Sequence, residues 1–95
     1  MNLVVSDRAI RRLREISTYI QAHHPGAADD VRQAIRSAFT LIAHYPDVGR
    51  RVRPRIRRFV VPRLPYLVYY TVDEGAGTVT IITVRHAAQS RRGLG

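Results

Sequence analysis

The chain predicts an α+β fold of order β-α-α-β-β-β, with a helical hairpin packed on one face of a mainly antiparallel sheet. Three observations carry that expectation. Two consecutive stretches, Ser6 to His24 and Pro25 to Ala43, space their apolar residues three and four apart, the period of a helix with one buried side. Three segments rich in β-branched and aromatic residues follow between Ile56 and Arg85, separated by turns marked with Pro and Gly. A short apolar run, Asn2–Val5, precedes the first helix and is long enough for one more strand. At 95 residues the chain is expected to form a single domain over 1–95.

Each element has a local reason. Ser6-Asp7 is a helix-start signal, because either side chain can accept from the unpaired amides of a first turn. Ile10, Leu13, Ile16 or Ser17, and Ile20 form the apolar stripe of the first helix. That helix should end near His23-His24, since the residue before Pro25 is driven out of helical geometry. Pro25 suits the start of the second helix, where its missing amide costs nothing. Asp29 and Asp30 then complement the helix dipole. Ala28, Val31, Ile35, Ala38, Phe39 and Ile42 make the seam of that second helix. The joint His23-His24-Pro25-Gly26 is short enough to require an antiparallel hairpin.

Tyr45-Pro46-Asp47-Val48-Gly49 reads as a turn. The arginine-rich segment after it contains Pro54, so it is expected to run as an extended loop and to become a strand near Ile56. Phe59-Val60-Val61 reads as strand, and Pro62 and Pro65 bracket a tight connection. Tyr66–Val72 is the best strand of the chain, Asp73–Gly77 a hairpin loop, and Thr78–Arg85 the last strand. Strands joined this closely form an antiparallel meander. Alternation along Tyr66–Val72 puts Tyr66, Val68, Tyr70 and Val72 toward the helices and Tyr69 on the open face. The tail 87–95 has no apolar periodicity and is expected to be flexible and basic.

The net charge is +9, and all 16 basic residues are arginine. Six of them fall within Arg50–Arg58: Arg50, Arg51, Arg53, Arg55, Arg57 and Arg58. Such a cluster fits a solvated loop, a contact to nucleic-acid phosphates, or a protein interface. Val52 and Ile56 interleave with the arginines, which favours a protein interface with nucleic acid as a secondary partner. No cysteine is present, so disulfides, thiol chemistry and cysteine zinc sites are excluded. No apolar run approaches the ~18 residues of a membrane span. The amino terminus lacks a signal pattern, and a cytoplasmic protein is expected. His23, His24 and His44 lie at expected helix ends without a third ligand nearby, so no metal and no cofactor are expected.

The ordered set of motifs resembles the ParE branch of the RelE/ParE toxin superfamily. Its parts are Ala9, Leu13, Ile16, Tyr19 and Ile20; then Pro25, Ala27 and Ala28; then Tyr45-Pro46-Asp47-Val48-Gly49-Arg50. Arg58-Phe59-Val60-Val61-Pro62, Pro65 to Val72 and Ile81 to His86 complete it, spanning roughly Val5 to Arg92. The resemblance implies a compact growth-inhibiting toxin of a type II toxin–antitoxin system, neutralised by a cognate ParD-like antitoxin. It further implies DNA gyrase as the target, blocked by binding and not by catalysis. The alternative it leaves open is a RelE-like ribosome-dependent endoribonuclease cleaving messenger RNA without a metal. That alternative would use Arg63, Arg85 and His86, with Tyr66 as a further group. Ala87 stands where some active nucleases carry tyrosine, and lysine is absent, so no catalytic residue is favoured. The partner-binding residues expected are Arg50, Arg51, Arg53, Arg55, Arg57, Arg58, Tyr69, Arg91 and Arg92.

Overall fold

A computed structural model describes residues 1–88. Its elements are β1 (Asn2–Val5), α1 (Asp7–His23), α2 (Ala28–His44), β2 (Arg50–Arg53), β3 (Ile56–Val60), β4 (Tyr66–Asp73) and β5 (Thr78–His86). Short 3-10 turns, Pro25–Ala27 and Pro46–Val48, lead into and out of α2. The sheet order is β1-β5-β4-β3-β2. β1 pairs parallel to β5, and the remaining neighbours pair antiparallel.

Ser6 starts α1 as expected and also fastens it to the sheet. Its Oγ accepts from the Ala9 amide at 3.1 Å and donates to the Ile82 carbonyl at 2.9 Å. Ile82 is the extra residue of a bulge, because Tyr69 pairs with Thr83 while Tyr70 pairs with Ile81. The serine hydroxyl thus reaches a carbonyl where the ladder is interrupted. Nearly two turns on, Arg12 Nε donates to the Val84 carbonyl at 3.2 Å. Polar bonds to β5 therefore fix the axial position of α1, while apolar packing fixes its face.

The core lies between the helical hairpin and one sheet face. Ala9, Ile16 and Ile20 of α1 meet Val31, Ile35, Ala38, Phe39 and Ile42 of α2 over Val68, Tyr70, Val79, Ile81 and Val84. The α2 seam is buried as its spacing predicts. The α1 stripe departs from expectation: Ala9, Ile16 and Ile20 are buried, whereas Ile10 and Leu13 are only half-buried. Both line a cleft between the two helices, Leu13 also packing on the margin of the core.

Two further expectations are corrected. The arginine segment is no loop at its start: Arg50–Arg53 is a strand, β2, paired antiparallel with β3, so the order is β-α-α-β-β-β-β. Pro54 sits in the turn between them, where a missing amide donor removes no ladder bond. The second correction is Tyr69, which is only 3% exposed. Alternation sets which face a side chain takes but not whether that face is covered.

The Pro46–Gly49 turn is held by the most deeply buried tyrosine. Tyr70 is 0% exposed, and its hydroxyl donates to the Pro46 carbonyl at 2.6 Å and accepts from the Gly49 amide at 2.8 Å. A Cβ at Gly49 would stand 2.6 Å from that hydroxyl. Gly49 has φ −80° and ψ 149°, ordinary for any residue, so glycine is required here for close approach alone. From the outside, Arg57 donates to the Gly49 carbonyl at 2.7 Å and pairs with Asp47 at 3.3 Å.

Tyr70→Phe leaves the buried Gly49 amide without its acceptor, and such a loss costs about 1–3 kcal/mol. Urea unfolding should show that decrease, with a melting temperature lower by about 10 °C for a domain of this size. Gly49→Ala should destabilise at least as much, and combining the two should cost less than their sum because Phe removes the oxygen at 2.6 Å, the nearest atom the new Cβ strikes, although Cε1 at 2.8 Å remains.

Candidate functional site

The helix side and the open sheet side offer different chemistry. Between α1 and α2 lies a cleft of ≈ 350 Å³ walled by Ile10, Leu13, Ser17, Val31 and Ile35, with Arg14, Arg32 and Arg36 beside it. Arg32 is paired to Asp29 at 3.0 Å. Arg14 and Arg36 have no ion pair among the described residues. The cleft was not legible from sequence, although its signal is the surplus apolar pair Ile10 and Leu13 on a stripe that Ala9, Ile16 and Ile20 already fill.

The sheet face away from the helices gathers part of the arginine cluster. Residues directly opposite on neighbouring strands share a face. Arg50 faces Arg58, Arg58 faces Tyr69, and Tyr69 faces Thr83. The adjacent rows are Val60, Leu67 and Arg85, and Arg53 with Ile56. Arg50, Arg53, Arg58 and Arg85 thus share this face. The other predicted arginines do not join them. Arg51 lies opposite Arg57 on the alternate face. Arg57 is engaged with Asp47 and Gly49, and Arg55 sits in the β2–β3 turn. Arg91 and Arg92 lie outside the described residues.

The residues of the alternative catalytic reading are brought to one end of the sheet but not to one face. Arg63 occupies the Pro62–Pro65 turn with φ +66°. That turn meets the end of β5 through the bond from the Ala87 amide to the Pro65 carbonyl at 2.8 Å. Arg85 pairs with Leu67 on the open face. His86 pairs with Tyr66, a core residue on the helix side, with ring centroids 5.8 Å apart at 86°. His86 Nδ1 accepts from the Ala88 amide at 3.1 Å, which puts the proton of a neutral ring on Nε2. His23 and His44 serve helix ends, each with Nδ1 2.9 Å from the carbonyl four residues earlier.

Both resolved titration shifts are in tyrosines. Burial pushes Tyr66 up, helped by nearby Tyr19 and opposed by Arg12. Burial also pushes Tyr70 up, with Asp47 adding to the shift and the Gly49 amide and Arg57 opposing it.

A helical hairpin over a five-stranded mixed sheet is a fold that this chain shares with solved toxins of type II toxin–antitoxin systems. Residues 3–91 match the family model described as the ParE toxin of the type II toxin–antitoxin system parDE, and the chain belongs to that family. It is 40% identical over 83 residues to Y4kP of Sinorhizobium fredii, covering 86% of this chain and 83% of that protein. It is 35% identical over 82 residues to Toxin RelE2 of Caulobacter vibrioides, covering 86% and 90%. In fold it is similar to the chromosomal ParDE system from P. aeruginosa, at TM-score 0.77 and 19% identity over 90% of this chain and 95% of that one. The isolated E. coli RelE toxin matches at TM-score 0.64 and 17% identity, covering 96% and 93%. No helix among the described residues is long and apolar enough to cross a membrane.

A tyrosine whose folded pKa is raised stabilises the fold fully below its unfolded value near 10 and loses that contribution as pH climbs through the folded value. Stability should therefore fall above pH ~10 on account of Tyr66 and Tyr70. Urea midpoints of wild type and Tyr70→Phe, measured at pH 8 and pH 10.5, should differ less at the higher pH.

Proposed function

We propose that this toxin acts by binding DNA gyrase and is held inactive by a ParD-like antitoxin seated in the α1–α2 cleft. The observation that carries the non-catalytic part is the division of the candidate acid–base set. Arg85 and His86 leave β5 on opposite faces, and Ala87 supplies no group beyond them. A metal-free nuclease needs its base, its acid and its phosphate-binding cation around one phosphorus.

The cleft supports the antitoxin part. Its apolar walls, beside Arg14 and Arg36 that have no ion pair among the described residues, fit a helix with one apolar face and acidic flanks. The P. aeruginosa neighbour is a ParDE toxin–antitoxin system. Tyr69, buried as it is, contributes to such an interface only through the sheet it supports. A second reading, ribosome-dependent cleavage of messenger RNA, is favoured by the likeness to Toxin RelE2.

One paired assay separates the two. Purified toxin is expected to cause gyrase-dependent cleavage of supercoiled plasmid and to leave transcripts intact in a translating extract. Cut transcripts with no effect on gyrase would establish the nuclease reading instead. For the cleft, Leu13→Glu should weaken binding of the antitoxin encoded beside the toxin by roughly 100-fold, near 2.7 kcal/mol. Circular dichroism should keep its native shape with some loss of melting temperature, since Leu13 packs on the margin of the core, and Leu13→Ala should weaken antitoxin binding in the same direction with a smaller stability cost.

A further inference from the structure

We propose that the sheet face opposite the helices binds the phosphate backbone of duplex DNA, through Arg50, Arg53, Arg58 and Arg85. This goes beyond the gyrase reading and does not depend on it. The first observation is electrostatic. Arg50 lies directly across from Arg58, and like charges so placed repel. Each of the three ion pairs among the described residues involves a different arginine, Arg12, Arg32 or Arg57. None of Arg50, Arg53, Arg58 and Arg85 has an acidic side chain against it there. The fold thus holds four unneutralised guanidinium groups on one face, two of them in register. Their planar forks match phosphate oxygens.

The second observation decides the kind of polyanion. Protein interfaces centre on apolar and aromatic anchors with a polar rim. On this face the large central side chains Leu67 and Tyr69 are 8% and 3% exposed. They support the sheet and offer no anchor, leaving Val60 at the edge as the exposed apolar group. Single-stranded nucleic acid is held largely by bases stacking on exposed aromatic rings. Among the described residues the one aromatic of this face is Tyr69, which is covered, so none of them offers a stacking platform. What remains among the described residues is a patch of arginines spread over three rows of the face, which suits the outside of a duplex, where backbone charge is presented and bases are not. Contacts of this kind position a protein on DNA without reading sequence.

The test uses the full chain with no gyrase present. Fluorescence anisotropy is measured with a labelled 20-base-pair duplex of mixed sequence, a single-stranded RNA of equal length and polyglutamate. Duplex binding is expected with Kd of order 10⁻⁶ to 10⁻⁴ M, and log K should fall with log salt at a slope near −3.6, about −0.9 per arginine. Arg50→Ser with Arg58→Ser should reduce the slope by about 1.8 and weaken binding at least tenfold. Arg53→Ser with Arg85→Ser should do the same independently, so that failure of one variant to fold leaves the other decisive. Arg8→Ser with Arg11→Ser, an equal loss of charge on exposed α1, should stay within twofold of wild type. Equal weakening by that control would mean bulk charge alone and would overturn the assignment. Tighter binding of the RNA or of polyglutamate than of the duplex would overturn it too. Because gyrase is absent, either result leaves the gyrase proposal to its own assay.

Discussion

The hydroxyl of Tyr70 is the contact on which the rest of the structure depends. It is a polar atom inside an apolar core, and it stays there because it is satisfied twice, by the Pro46 carbonyl and the Gly49 amide. Buried hydroxyls without partners are costly, so this pair of bonds specifies where the chain leaving α2 must cross the sheet. Gly49 allows the approach, and Arg57 closes it from the solvent side. The first residue after that crossing is Arg50, the start of β2. The position of the arginine strand is therefore set by a tyrosine in the middle of the core.

From that constraint the two faces of the sheet acquire separate tasks. Toward the helices, Val68 and Tyr70 pack with the α2 seam, and the apolar residues left over on α1 open the cleft. Away from the helices, the same strands carry Arg58 and Arg85 beside the buried Leu67 and Tyr69. A partner in the cleft would touch the helical layer, and a polyanion the far face of the sheet. Direct competition between them is not built into the geometry. Any influence of one on the other would have to pass through the sheet itself, whose bulges at Val52 and Ile82 are its least regular points.

Much of this was legible in the residues, and the exceptions have physical causes. The helices could be placed because their seams repeat at helical spacing over 17 residues each, and Ser6 marked the first start. β4 and β5 could be placed because β-branched and aromatic residues dominate them. β2 was missed because Pro54 breaks a strand when it lies inside one, and nothing local says that the turn falls there. The arginine cluster was visible as a single feature, but strand register alone could divide it. That register sends Arg57 inward to Gly49 and Arg58 outward beside Tyr69. The cleft was hidden for a related reason: periodicity marks an apolar side of α1 without saying how that side is shared between sheet and neighbouring helix.

The claim that the Tyr70 hydroxyl fixes the turn, and through it the arginine strand, is tested most directly by native-state hydrogen exchange at the Gly49 amide. A bond that opens only with the core predicts protection close to that of the β4 and β5 ladder amides, near the free energy of global unfolding. Exchange of Gly49 as fast as that of Gly75 in the exposed hairpin turn would contradict it and would free the arginine strand from the core.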